Sequence, residues 1–253
     1  MAPSADDGGH GAIAALVTDD GGRSAVLFRP ASTPQGWQTV RVRLPDSAIY
    51  VSASAPSKMR VLVAYSATLV NGAETHPGTL FLIESDDSGG TWSTPRTVWT
   101  RDGMEAIEPQ FVVAPSGRAH LIWRDARPNQ IGEGGVWHVE SSDGGATWGQ
   151  PVRGTLPMIA NRIRAVVDAC DAVHVVAQAH GDRTARIAYV RFTAGRWDSP
   201  QLLFDGMMGM HPSIKLDESG NVALTFSRVV PGSPSGAGVK AGLVGALLPV
   251  RRW

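Results

Sequence analysis

Cross-linking chemistry is nearly absent from this 253-residue sequence, which holds a single cysteine, Cys170. One thiol forms no internal disulfide and no Cys-based zinc site, so neither device holds the fold together. Net charge is missing as well. With 23 Lys+Arg against 23 Asp+Glu the formal charge is zero. A general nucleic-acid binder or a polybasic membrane-surface protein needs clustered cations, so both classes are excluded. Long apolar runs are also lacking: the late stretch 241–250 is broken by Gly245 and Pro249. It falls far short of the about 20 residues of a membrane helix, so it reads as a strand and no membrane insertion is expected. Residues 1–11 carry no basic stretch followed by an apolar run, hence no secretory leader in the sequence as written. That implies a cytoplasmic protein as written, or a secreted one if a leader was removed. Residues 1–11 are expected to be a flexible segment ahead of a single domain, 12–253.

What is present is punctuation: 29 Gly and 17 Pro separate short, β-branched apolar runs, and no segment keeps a 3.6-residue apolar stripe. Many short strands are expected, with helix nearly absent. Trp37, Trp92, Trp148 and Trp197 recur at intervals of roughly 50 residues. A two-strand unit with a tight polar turn recurs in step with them. Its clearest copies run from Pro109 to Trp123 and from Pro212 to Phe226, with weaker ones at Ile13–Phe28, Ile49–Tyr65 and Ile163–Gln178. A unit of about 40 to 55 residues with up to four antiparallel strands is the size of one propeller blade. The expected fold is therefore all-β, a β-propeller of five four-stranded blades, with a six-bladed ring as the alternative. The first and last units are short of strands, so the two termini are expected to share the closing sheet.

Two hairpins are more specific. Ser85-Asp-Asp87-Ser-Gly89-Gly-Thr91-Trp92 and Ser141-Ser-Asp143-Gly-Gly145-Ala-Thr147-Trp148 both fit Ser-x-Asp-x-Gly-x-Thr-Trp. This pattern resembles the Asp-box, or BNR repeat, of the sialidase (neuraminidase) superfamily, whose members are β-propellers. Thr193-Ala-Gly195-Arg-Trp197 and Gln35-Gly36-Trp37 look like decayed copies. Physically, the box reads as a turn in which Asp accepts amide hydrogen bonds, Gly supplies positive φ and Trp packs between strands. The resemblance implies an arginine triad for a substrate carboxylate, a Tyr nucleophile assisted by a Glu, and an Asp acid/base. Only Phe28-Arg29-Pro30 approaches the family's early arginine motif, without its Ile. Of three tyrosines, Tyr65 and Tyr189 lie in strand patterns, which leaves Tyr50.

In a propeller, the starts of the first strands and the loops after the second strands converge on one mouth of the axis. First-strand starts supply Tyr50, Glu108, Arg162 and His211, and the ends of second strands supply Arg124, Asp125 and Arg228. Arginines bind carboxylates through a planar fork, and carboxyl groups or an activated phenol cleave glycosides. The catalytic candidates are thus Asp125, Glu108 and Tyr50, with Arg124, Arg162, Arg228 and His211 binding substrate. Each also has a plain structural reading, as a local ion pair, a strand cap or a half-buried strand residue. His120, His138 and His174 are read as lying on different blades, so no metal and no cofactor are assigned. The loop 230–238 reads as a spacer or a lid. The partner expected is a small molecule or glycan. A sialidase-like glycoside hydrolase acting on an acidic or terminal sugar is the leading reading. A non-catalytic glycan- or protein-binding propeller and a small-molecule lyase or cyclase remain open beside it.

Overall fold

The computed structural model describes residues 13–30, 37–71, 74–127, 134–156, 160–180, 185–204, 208–217, 219–229 and 242–248. The segments expected at 1–11 and 230–238 lie outside the described residues. All regular structure among the described residues is strand. Short β-branched runs bounded by Gly, Pro and Asp turns have no amphipathic stripe to bury as helices.

The strands form five antiparallel sheets in chain order. The first contains β1 (Ile13–Asp19), β2 (Gly22–Pro30) and β3 (Trp37–Arg43). The second contains β4 (Tyr50–Ser54), β5 (Val61–Asn71), β6 (Glu74–Ser85) and β7 (Arg96–Trp99). The third contains β8 (Glu105–Val113), β9 (Ala119–Ala126), β10 (Val136–Ser141) and β11 (Val152–Arg153). In the fourth, β12 (Ala160–Val167), β13 (Val173–His180) and β14 (Ala185–Thr193) are followed by β15 (Arg196–Trp197) and β16 (Gln201–Leu203), which both pair with β14. The fifth contains β17 (Met208–Leu216), β18 (Val222–Val229) and β19 (Gly242–Leu248).

Four apolar cores lie in series between successive sheets. Leu27 and Val42 meet Val63 and Phe81, Leu62 and Leu82 meet Phe111 and Trp123, Ile122 and Val136 meet Ile163 and Val175, and Val176 and Ile187 meet Leu224 and Phe226. A strand between two such cores is buried on both faces. β9 accordingly reads as a nearly unbroken apolar run. The repeating tryptophans serve these wedges: Trp92, Trp148 and Trp197 each pack into the core between their own sheet and the preceding one.

The two Ser-x-Asp-x-Gly-x-Thr-Trp segments fold into matching turns. Thr91 donates its amide and its hydroxyl to the two oxygens of Asp87, both at 2.8 Å, and the Ser85 hydroxyl receives the Gly89 amide. Thr147, Asp143, Ser141 and Gly145 repeat this arrangement. These bonds, led by the Thr91 amide, hold the Asp87 carboxyl down at about 2, and Asp143 is held lower still by the Thr147 hydroxyl and amide.

Three expectations are corrected. Among the described residues the terminal strands do not share a sheet: β1 pairs with β2 in the first sheet and β19 with β18 in the fifth. The segment at Trp37, read as a hairpin ahead of a fourth strand, is the third strand of the first sheet, with Trp37 opposite Pro30. Nor do His120 and His138 lie on different blades. They stand on β9 and β10 of one sheet with Nδ1 and Nε2 3.0 Å apart.

Candidate functional site

First strands of neighbouring sheets contact one another, β1 with β4, β4 with β8, β8 with β12 and β12 with β17. Three of them share one irregularity. β8, β12 and β17 each carry a β-bulge against the second strand of their sheet, at Ile107/Gln110, Asn161/Arg164 and Met210/Ser213. At each bulge one residue that is not glycine takes the left-handed conformation: Glu108 at φ 55, Arg162 at φ 52 and His211 at φ 53. An L-residue held there costs about 1–2 kcal/mol, and bulges recur beside functional sites because they re-aim a side chain.

A bulge leaves amides without ladder partners, and here the preceding sheet supplies acceptors. Ser52 Oγ accepts the Phe111 amide at 3.1 Å, Glu108 Oε2 the Ile163 amide at 3.1 Å, and Gln178 Oε1 the His211 amide at 3.3 Å. These bonds join the sheets near the first strands and meet the requirement that buried backbone donors be satisfied.

Tyr50, Glu108 and Arg162 line one pocket of about 410 Å³, together with Ser52, Gln110 and Arg164. That volume suits a small ligand. Tyr50 is 37% exposed, and burial, reinforced by the Glu108 charge, pushes its phenol up. Arg124 stands behind Glu108, its Nε 4.0 Å from Oε2. This is an ion-pair distance too long for a hydrogen bond, and among the described residues the buried Nε has no other partner. Burial pulls the Arg124 guanidinium down. The other two tyrosines are structural. Tyr65 is buried and Tyr189 is bonded to His174 at 2.7 Å, and burial pushes both phenols up to about 12.

The remaining candidates lie elsewhere. Asp125, expected at the mouth as a proton donor, is buried and does not line the pocket. One of its oxygens accepts the Gly135 amide and the other meets Arg101 at 3.2 Å, which ties the returning loop to the end of β9. Gly134 is required beside it, because a Cβ there would stand 2.0 Å from the Asp125 carbonyl oxygen. His211 and Arg228 are exposed on the fifth sheet, outside the pocket lining. The turn residues Asp87 and Asp143 are also absent from that lining. Sequence reasoning missed Arg164 and Gln110. Both follow the bulges of β12 and β8, where the extra residue breaks the two-residue alternation by which a sequence assigns side chains to a face.

No protein-family model and no curated protein matches the sequence. Solved structures resemble it in fold. A polysaccharide lyase superposes with a TM-score of 0.61 at 10% identity, over 97% of this chain and 57% of its own. An α-L-arabinanase from Penicillium chrysogenum gives 0.56 at 13% identity, over 87% and 67%. A sialidase from Streptococcus pneumoniae gives 0.50 at 14% identity, over 81% and 32%. The chain thus spans about a third of the sialidase's length. At such identities the likeness is one of all-β architecture.

Proposed function

We propose that the five sheets are the blades of a single-domain, five-bladed β-propeller that acts on an acidic sugar in the pocket at Tyr50, Glu108 and Arg162, as a sialidase-like glycoside hydrolase. The observation that carries this reading is the conjunction of strain and chemistry. Two residues held at unfavourable φ, one a carboxylate and one an arginine, share a pocket with a half-exposed phenol. Strain retained at matching positions of neighbouring strands points to selection for side-chain direction, since an unstrained strand would be more stable. In the proposed complex Arg162 and Arg164 pair with the sugar carboxylate through their planar donors. Glu108, which accepts the Ile163 amide, takes the proton of the Tyr50 phenol as the phenol oxygen bonds to the anomeric carbon and the glycosidic C–O bond breaks, the departing alkoxide taking a proton from water. Water then displaces the tyrosyl oxygen, which recovers its proton from Glu108. Arg124, set behind Glu108, steadies its charge. The Asp-box resemblance of the two turns and the glycan-acting names among the structural neighbours support the substrate class.

A non-catalytic reading has one observation in its favour. Among the described residues Glu108 is the single carboxylate of the pocket lining, whereas glycoside cleavage ordinarily employs two acidic groups or their equivalents. Turnover of fluorogenic sialosides, uronides and neutral glycosides, measured together with calorimetric affinity, separates the two. Hydrolysis of an acidic glycoside that falls about 100-fold or more in Glu108→Gln with KM little changed supports catalysis. Saturable binding without turnover, weakened about tenfold in Arg162→Ala, supports a binding module. Acidic sugars that neither bind nor turn over sink both.

A further inference from the structure

We propose that His120, His138 and Glu140 form a binding site for one divalent transition cation of the zinc type, on the face of the third sheet that meets the fourth. The register makes the cluster. Glu140 on β10 lies directly opposite His120 on β9, and His138 is two residues before Glu140, so all three side chains share one face. One ligand atom from each lies within 4.8 Å of the others, and His120 Nδ1 is 3.0 Å from His138 Nε2. Two donors each about 2.0–2.2 Å from a tetrahedral zinc ion stand about 3.3 Å or slightly more apart, so the rings need only separate by a few tenths of an ångström and tip toward an ion lying beside the line between them. Imidazole with carboxylate is a donor set that suits zinc.

Burial supports the assignment. His120 is 0% and His138 1% exposed. Two imidazoles buried in an apolar wedge are costly unless something compensates them, and an ion held between the facing nitrogens does so. Phe192 and Trp197 pack against the His138 ring, with centroids 4.1 and 5.7 Å away, and fix its plane. Access is available on the other side. Glu140 is half-exposed and lines a cleft with Arg118 and Asp171. Arg118 lies 3.5 Å from Glu140 and 3.7 Å from Asp171, so it keeps a carboxylate partner when Glu140 turns to the ion. Water entering through the cleft completes the coordination.

The test uses the full chain, stripped with a chelator and titrated with zinc or cobalt(II). The expected result is one equivalent bound, a cobalt ligand-field spectrum showing nitrogen and oxygen donors, and a melting temperature that rises with zinc concentration. Glu140→Gln, an isosteric change at a half-exposed position, should weaken binding at least tenfold and alter the spectrum. His120→Gln should abolish it. Cys170→Ser, which removes the exposed thiol near the cleft, should leave it intact. Absence of saturable binding, equal affinity in Glu140→Gln, or loss of binding in Cys170→Ser alone would overturn the site.

Discussion

At the scale of single residues, the informative feature is a side chain kept where its backbone does not want it. Arg162 is exposed at φ 52, a conformation that glycine adopts freely. Arg162→Ala keeps the strain and removes the guanidinium, whereas Arg162→Gly removes both. The glycine variant should be about 1 kcal/mol more stable than the alanine variant, with the acidic-ligand affinity of both reduced alike. Denaturant unfolding beside calorimetry checks this, and equal stabilities would show that the φ value carries no strain. Asp125 gives the opposite case, a functional candidate whose environment is structural. Arg101→Ala leaves a buried carboxylate with the Gly135 amide but without its cation, and should cost about 1–2 kcal/mol while turnover per folded molecule stays unchanged. Tyr50, Glu108 and Arg162 could be grouped from sequence because each reads as the start of a first strand. Tyr50 does begin β4, whereas Glu108 and Arg162 stand inside β8 and β12 at their bulges. The direction of Asp125 was hidden because it depends on the return of residues 134–135 to the end of β9, and nothing local in Trp-Arg-Asp-Ala-Arg encodes that contact.

At the scale of elements, strands and turns were the most legible parts, since each rests on chemistry within a few residues. The Thr193 hairpin shows this: Ala194 and Gly195 both take positive φ between Thr193 and Arg196, as a two-residue turn matched to strand twist requires. Pairings between distant strands were less legible. His120 and His138 were separated on paper because the length of the loop between β9 and β10, and hence the register, is not written in the pattern. The Asp87 turn carries a pH signature. Its folded carboxyl is lowered from 3.8 to about 2, so the unfolded chain takes up the proton first as pH falls. The contribution is therefore fully present above about pH 4 and is lost as the pH drops toward 2. Asp87→Asn keeps the shape but not the charge. The melting-temperature difference between the wild type and this variant should be steady from pH 7 to 5 and shrink between pH 4 and 2. Asp143→Ala, which removes the acceptor altogether, should lower the melting temperature by about 2–4 °C at neutral pH without affecting the pocket.

For the whole molecule, the question is whether four cores in series close into a ring. Sheets stacked in a line would leave the first and fifth with one free face each. β2 argues against a free face: Ala25 and Leu27 turn toward the second sheet, yet Ser24 and Val26 on the opposite side are also buried, at 4% and 6% exposure. In the proposed propeller that opposite side meets the fifth sheet, which supplies the missing cover. Leu27→Asp and Val26→Asp distinguish the two arrangements, since they place the same charge on the two faces of one strand. Leu27→Asp must be severely destabilising in either case, because it buries an unpaired carboxylate in a core that is present. In a closed ring Val26→Asp does nearly the same, at about 3 kcal/mol or more. In an open stack its carboxylate turns to water and the cost stays within about 0.5 kcal/mol. Unfolding curves of the two variants, with amide exchange read on β2, decide between them. A tolerated Val26→Asp would remove the propeller reading and, with it, the axial position of the pocket.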